Sequence, residues 1–204
     1  MSKGKMDIRY MRRCFNLAHK AGKAVKSNPK VGAVLVYKNR IIGEGYHKMS
    51  GGPHAEVNCL NSVNPHDRSL IPISTLYVSL EPCCHHGKTP PCTELILKHD
   101  IKEVRISVPD PSEEVGGKGI QILKAHGVNV TTGLLPDIGH ELIRPFAVRQ
   151  KNKRPFIIIK IVKSSDHYIG VPGKKIWLTA PYTDVLTHKW RSEVDGILIG
   201  TNTA

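Results

Sequence analysis

The feature that most constrains the fold is a set of metal-ligand side chains divided between two distant segments. His54 opens a His-Ala-Glu sequence, whereas Cys83 and Cys92 belong to a second segment that begins with Glu-Pro-Cys at residues 81–83. One imidazole and two thiolates can hold a hydrolytic zinc ion and leave its fourth position to water. A fold that uses this set must bring His54, Cys83 and Cys92 close together.

The chemistry of such a site suggests a role for Glu56, which follows His54 by two residues. Zinc with these ligands stays Lewis-acidic and lowers the pKa of a bound water towards ~7, so that the water can attack an electron-poor ring carbon bearing an amino group. A carboxylate beside that water is suited to carry its proton to the departing nitrogen. We therefore predict His54, Cys83 and Cys92 as zinc ligands and Glu56 as the catalytic proton carrier.

A structural zinc site, or no zinc at all, is the alternative interpretation. Structural sites are closed by four Cys or His ligands at short spacings, and Cys84, His85 or His86 could supply the fourth ligand. The combination of His-Ala-Glu with Glu-Pro-Cys favours the hydrolytic site. A disulfide framework is disfavoured because five cysteines is an odd number and the start of the chain shows no signal-peptide pattern. We therefore expect a cytoplasmic location.

The basic charge of the chain raises the question of a nucleic-acid partner. The formal net charge is +13 at pH 7, and the excess is spread along the chain. A nucleic acid could bind such a surface, but a solvated surface and an anionic small substrate explain the charge more simply. Aromatic residues, which a base-stacking groove needs, make up 5% of the chain. No apolar run approaches the ~20 residues of a membrane span. We expect neither nucleic acid nor membrane as a partner.

Periodicity along the chain predicts alternating helices and strands. Apolar residues recur at helical spacing over residues 7–25, and short apolar runs bounded by turn residues are typical of strands. The predicted helices span 7–25, 91–99, 119–126 and 136–149, with another at His54, and the predicted strands span 31–37, 41–46, 75–80, 103–108 and 128–131. This order predicts an α/β fold, a three-layer α/β/α sandwich around a mixed central sheet.

Several motifs together resemble one known family. Residues 28–32 (Asn-Pro-Lys-Val-Gly), 54–57 (His-Ala-Glu-Val), 81–83 (Glu-Pro-Cys) and 86–92 (His-Gly-Lys-Thr-Pro-Pro-Cys) match motifs of the bifunctional riboflavin-biosynthesis proteins. That family joins a diaminohydroxyphosphoribosylaminopyrimidine deaminase to a 5-amino-6-(5-phosphoribosylamino)uracil reductase. The two ligand cysteines are separated by eight residues, whereas nucleic-acid-editing and free-nucleoside deaminases usually have two there.

The resemblance implies a cytidine-deaminase-like fold and a reaction in riboflavin biosynthesis. The reaction is zinc-dependent hydrolytic deamination of 2,5-diamino-6-ribosylamino-4(3H)-pyrimidinone 5′-phosphate, a small-molecule substrate, with release of ammonia. The alternative is a nucleic-acid deaminase that acts on a tRNA adenosine. Such an enzyme would need a pocket for an extruded base and a basic, aromatic groove.

The resemblance also implies which residues contact the substrate. Those residues are Asn28, His47, His85, Lys88 and Asp110, with Arg191 further along the chain. Ser112 stands where the family commonly has Asn. The glycine-rich run at residues 116–119 is typical of a phosphate-cradling turn before a helix.

The resemblance divides the chain near residue 150. Residues 1–150 correspond to the zinc deaminase domain, and residues 151–204 correspond to a basic linker and the start of the reductase domain. Strands over 156–162 and 196–200 and a helix over 182–194 are predicted for this partial dinucleotide-binding α/β segment. The family places residues near NADPH at the positions of Val162, Trp177 and Thr203.

A dinucleotide-binding domain needs more residues than these to bury its strands. We therefore expect deaminase activity without NADPH oxidation, unless the rest of the reductase domain is present in a longer protein. Two interpretations of residues 151–204 remain open. Either the sequence is a fragment of a longer bifunctional protein, or this tail packs on the deaminase domain or on another subunit of a homo-oligomer.

Overall fold

The computed structural model describes residues 3–87, 89–174 and 176–201. The chain divides into two compact units, Met1–Phe156 and Ile157–Ala204. The first unit contains a five-stranded sheet with helices on both faces, and the described residues of the second unit contain one helix.

The sheet of the first unit is mixed and has the strand order β2-β1-β3-β4-β5. Its strands are β1 (Gly32–Tyr37), β2 (Arg40–Tyr46), β3 (Thr75–Leu80), β4 (Glu103–Val108) and β5 (Asn129–Thr131). Strand β1 runs antiparallel to both β2 and β3, whereas β3, β4 and β5 are parallel. Lys38 and Asn39 form the two-residue turn between β1 and β2, and both have positive φ angles, as a tight hairpin requires.

The helices are α1 (Lys3–Ala18), α2 (Ala55–Asn61), α3 (Cys92–Lys98), α4 (Lys118–Ala125), α5 (Pro136–Asn152) and, in the second unit, α6 (Pro181–Glu193). Short 3-10 segments span His19–Ala21 and Pro65–Ile73. No helix in the described part of the chain is long and apolar enough to cross a membrane.

The two faces of the sheet carry separate helix layers because strand side chains alternate between them. On one face, Leu35, Val78 and Ile106 pack with residues of α2, α3 and α4. On the other face, Val34 and Tyr77 pack with residues of α1 and α5. The predicted three-layer α/β/α sandwich with a mixed sheet is confirmed.

The first helix differs from its predicted bounds at both ends. It begins at Lys3 and ends at Ala18, and the chain continues into a 3-10 turn that stops at Gly22. Gly22 has a positive φ angle of 56°. Helices commonly end where a glycine adopts such an angle. Val25 lies after the end of the helix but is still buried. Its apolar side chain therefore fits the helical spacing in the sequence although the residue is not helical.

The two strands predicted in the second unit are wrong. Residues 156–162 and 196–200 form no strand in the described part of the chain, whereas the predicted helix over 182–194 is present as α6. A strand exists only as part of a ladder, and neither segment has a neighbouring strand among the described residues. Their apolar side chains remain exposed, with Ile159 79% and Leu198 99% accessible.

Candidate active site

The three predicted metal ligands meet at one edge of the sheet. His54 immediately precedes α2, Cys83 follows β3, and Cys92 is the first residue of α3. The Nδ1 atom of His54 lies 3.4 Å from the Cys83 sulfur and 3.3 Å from the Cys92 sulfur. All three ligand atoms lie within 4.8 Å of one another. Tetrahedral zinc with ordinary Zn–S and Zn–N bonds separates a nitrogen and a sulfur ligand by about 3.5 Å, so this set fits zinc.

The electrostatics of the two cysteines favour a thiolate at Cys83. Hydrogen bonding from Cys92, followed by that from His54, lowers the pKa of Cys83 well below that of an ordinary thiol. The backbone N–H of Cys92 also donates to the Cys83 sulfur at 3.3 Å. Hydrogen bonding to Cys83, followed by burial, raises the pKa of Cys92. The described contacts therefore favour the thiolate at Cys83 over a thiolate at Cys92.

Glu56 lies in the first turn of α2 and is 4% exposed. Burial, followed by the neighbouring Cys83, raises the pKa of its carboxyl to about 6. A buried carboxyl beside a metal position is suited to accept and then release a proton.

A cavity of about 390 Å³ opens beside these groups, a size typical of small-ligand pockets. Glu56, His54 and Cys83 are among its lining residues. The other lining residues come from several segments, namely Asn28, Pro29, Val31, His47, Ser50, Gly51, Gly52, Ala55, Leu80, Glu81, His85, Gly87, Thr89, Asp110, Ser112, Glu114, Val115, Phe146, Arg149 and Gln150. The cavity therefore lies at the carboxyl ends of β3 and β4, where α/β folds commonly bind ligands.

Asn28 and His47 are linked on one wall of the cavity. The ring Nδ1 of His47 lies 3.1 Å from the carbonyl oxygen of Pro53, and its Nε2 lies 3.2 Å from the Asn28 amide nitrogen. A carbonyl oxygen only accepts, so Nδ1 carries the proton and Nε2 accepts from Asn28. The side-chain amide oxygen of Asn28 then remains available to a ligand. Burial lowers the pKa of His47, which favours this neutral ring.

Asp110 and His85 also line the cavity. The Asp110 carboxylate accepts from the backbone N–H of Ser112 at 2.8 Å. His85, in the segment between the ligand cysteines, lies 3.7 Å from the carboxylate of Glu114. Thr89 from the same segment lies 3.5 Å from Nε2 of His54, the ring nitrogen that faces away from the sulfurs.

The remaining predicted site residues are Lys88, Val162, Trp177, Arg191 and Thr203. Lys88 and Thr203 lie outside the described residues. Val162, Trp177 and Arg191 belong to the second unit, with Arg191 in the last turn of α6. Their predicted roles stay predictions.

The predicted phosphate-cradling turn at residues 116–119 is engaged in part by the protein itself, and a phosphate there stays a prediction. The backbone N–H groups of Gly117 and Ile120 already donate to the carboxylate of Glu81 at 3.0 and 3.1 Å. An amide that is bonded to a buried carboxylate is not available to a phosphate. The glycines instead permit close packing, because a Cβ on Gly119 would lie 2.2 Å from the carbonyl oxygen of Pro82.

Sequence reasoning did not identify the part of α5 that lines the cavity. Phe146, Arg149 and Gln150 line the cavity from α5, which extends to Asn152, beyond its predicted end. These residues carry no recognisable motif, and only the packing of α5 against the sheet brings them to the cavity. The burial of Glu81 was likewise not predicted.

A comparison with protein-family models decides the family. The cytidine and deoxycytidylate deaminase zinc-binding region matches residues 5–108, half of the chain, and this match covers His54, Cys83 and Cys92. The chain belongs to this deaminase family. Its zinc-binding character and its fold are thereby established, and both agree with the geometry above.

Individual relatives confirm the resemblance inferred from the motifs. Riboflavin biosynthesis protein RibD of Bacillus amyloliquefaciens is 39% identical over 199 residues, which are 97% of this chain and 53% of that protein. RibD of Aquifex aeolicus is 36% identical over 199 residues, 97% of this chain and 55% of that protein. The chain thus spans about half the length of the curated relatives it matches.

A solved structure agrees with the fold in detail. It is a diaminohydroxyphosphoribosylaminopyrimidine deaminase/5-amino-6-(5-phosphoribosylamino)uracil reductase from Thermotoga maritima, 38% identical, with a TM-score of 0.92. The match covers 99% of this chain and 57% of that one.

Proposed function

We propose that this chain deaminates 2,5-diamino-6-ribosylamino-4(3H)-pyrimidinone 5′-phosphate by zinc-dependent hydrolysis and releases ammonia. The observation that carries the proposal is that the ligand atoms of His54, Cys83 and Cys92 lie together, and that His54 and Cys83 line one cavity with buried Glu56. The names of the relatives supply the substrate class, since they are riboflavin biosynthesis proteins.

In this proposal, His54, Cys83 and Cys92 hold the metal. When bound, zinc supplies the Lewis acidity that lets water attack the amino-bearing ring carbon. Glu56 takes a proton from that water and delivers it to the departing amino nitrogen. Its burial supports the role, because a carboxyl with a pKa of about 6 both accepts and releases a proton near neutral pH.

The walls of the cavity suggest how the ring is held. The Asn28 carbonyl oxygen is free to accept from a ring or amino N–H, because its amide nitrogen is bonded to His47. Asp110 faces the same space and accepts only one described hydrogen bond, from Ser112. Both acceptors suit a pyrimidine that is rich in N–H groups. His47 therefore contributes by orienting Asn28.

The phosphate end of the substrate requires a cation. Arg149 is the described cavity-lining residue with a permanent positive charge, and its guanidinium can bind a phosphate through two hydrogen bonds. Lys88 and His85, from the segment between the ligand cysteines, are further candidates. Arg191 is proposed to bind substrate in the second unit, and Val162, Trp177 and Thr203 are proposed to contact NADPH only where a reductase domain is complete.

An ammonia-release assay on zinc-loaded protein tests the proposed function. The pyrimidine phosphate and a tRNA should be assayed side by side, and we expect turnover of the pyrimidine phosphate alone. Release from the tRNA alone would instead support the nucleic-acid alternative. The long segment between Cys83 and Cys92 and the names of the relatives favour the small-molecule substrate.

A further inference from the structure

The buried carboxylate of Glu81 joins the two sides of the candidate site. Glu81 follows β3, lies two residues before Cys83, and is 3% exposed. Its Oε2 accepts from the backbone N–H groups of Asp110 and Gly117, both at 3.0 Å, and its Oε1 accepts from Ile120 at 3.1 Å. Its own backbone N–H donates to the carbonyl oxygen of Val108 at 3.0 Å.

These bonds satisfy backbone groups that would otherwise lack partners. Gly117 is the N-cap residue of α4 and Ile120 lies in its first turn, where backbone N–H groups have no intrahelical acceptor. The N-cap residue of α4 is a glycine, which has no side chain to cap the helix. A carboxylate supplied from another segment satisfies these groups and also interacts favourably with the helix dipole.

The same contacts fix one wall of the cavity. Asp110, Ser112 and Val115 line the cavity, and all belong to the connection between β4 and α4. Glu81 holds this connection near its start, at Asp110, and at its end, at Gly117. The chain from Glu81 to Cys83 is too short to move independently of that carboxylate. A displacement of the connection should therefore displace the metal ligand Cys83, and a displacement of Cys83 should displace the connection.

We propose that Glu81 is a positioning residue that sets the distance between the Cys83 metal ligand and the Asp110–Val115 wall of the cavity. It does not touch the reacting atoms, and it acts through the backbone of both segments. The inference rests on the proposed function for its effect on substrate, but its effect on metal and backbone is independent of the substrate's identity.

Glu81→Gln is the informative variant because it keeps the length of the side chain. Its single amide oxygen can replace only one carboxylate oxygen, and the NH2 group would then face a backbone N–H without an acceptor. Glu103→Gln is the matched control. Glu103 is the first residue of β4, whereas the connection that Glu81 holds follows the last residue of that strand. The Glu103 carboxylate accepts hydrogen bonds from the side chains of Thr75 and Asn129.

For Glu81→Gln we expect zinc affinity to fall about 10-fold when it is measured by competition with a chelator. This is the effect typical of residues that orient metal ligands without binding the metal themselves. We also expect KM for the pyrimidine phosphate to rise about 10-fold, with a smaller change in kcat at saturating zinc. Glu103→Gln should leave all three unchanged. A folded Glu81→Gln protein with wild-type zinc affinity and KM would overturn the proposal.

Amide hydrogen exchange on the wild-type protein tests the same coupling without any variant. Removing zinc should accelerate exchange at the amides of Asp110, Gly117 and Ile120, while the Asn129 amide, bonded to Lys102 at 2.8 Å, should be unaffected. Equal protection with and without zinc at the first three amides would overturn the proposal even if Glu81→Gln fails to fold. Wild-type protein without deaminase activity would refute the proposed function, and the zinc and exchange measurements would still decide the role of Glu81.

Discussion

Replacing Gly45 with alanine should destabilise the protein, because the backbone of α2 lies directly against this glycine in β2. An added Cβ would lie 2.2 Å from the backbone nitrogen of Cys59 and 2.5 Å from the carbonyl oxygen of Ala55. Ordinary van der Waals contact begins at 3.4 Å, so α2 would have to retreat by 3.4 − 2.2 = 1.2 Å. The clashing atoms are backbone atoms, which cannot rotate away as a flexible side chain can.

Overpacking of a well-packed core typically costs ~1–3 kcal/mol, and backbone contacts this short place Gly45→Ala at the upper end. A loss of ~3 kcal/mol in a domain of this size lowers Tm by ~6–12 °C. Because His54 immediately precedes α2, the same displacement should weaken zinc binding. Both effects can be measured by thermal unfolding at a fixed zinc concentration and by chelator competition.

Gly4→Ala is the matched control, because an added Cβ at Gly4 in α1 meets nothing within 4 Å. Alanine is favoured over glycine in a helix by ~0.5–1 kcal/mol, so this variant should equal or exceed the wild-type Tm. If Gly45→Ala melts at the same temperature as Gly4→Ala, the close approach of α2 to β2 is not present in solution.

Three further predictions concern the metal, the substrate and the second unit. Cys83→Ser and Cys92→Ser should each lose bound zinc in a metal analysis, whereas Cys84→Ser should retain it; the reverse pattern would refute the ligand assignment. Arg149→Gln should raise KM for the phosphorylated substrate ~10–100-fold, the effect of one charged hydrogen bond, and leave zinc content unchanged; an unaltered KM would exclude Arg149 as the phosphate ligand. Limited trypsin digestion should cut first at exposed Lys151 and Lys153, and the 204-residue chain should show no NADPH oxidation. NADPH consumption coupled to the deaminated product, or a tail as resistant as the first unit, would contradict this.

The residues of the metal centre could be predicted because they lie in short sequence motifs. His54, Glu56, Cys83 and Cys92 sit in short motifs whose residue types leave few other chemical uses, and the structure brings the three ligand atoms together. The strands of the sheet were also predictable within a few residues. Both faces of the sheet are covered, so each strand is a short apolar run in the sequence.

Local patterns were least informative where they depend on a distant partner. The glycine-rich run at 116–119 has the pattern of an anion site, but the amide of Gly117 within it bonds to Glu81, which lies 36 residues away in the sequence. The apolar run at 156–162 has the pattern of a buried strand, but the described residues supply no neighbouring strand. Arg149 and Phe146 reach the cavity only because α5 packs against the sheet, and no local pattern encodes that contact.

The most direct test of the central claim measures zinc content and ammonia release on the same preparations of wild type and Glu56→Gln. The amide keeps the size of the carboxylate but cannot carry the proton, and a group of this kind contributes ~10²–10⁴-fold to rate. We predict about one zinc per chain in both proteins, with ammonia release from the pyrimidine phosphate in the wild type reduced by that factor in the variant. Zinc-loaded Glu56→Gln that works within a few-fold of wild type would contradict the assignment of Glu56, and zinc-loaded wild type without ammonia release would contradict the proposed function.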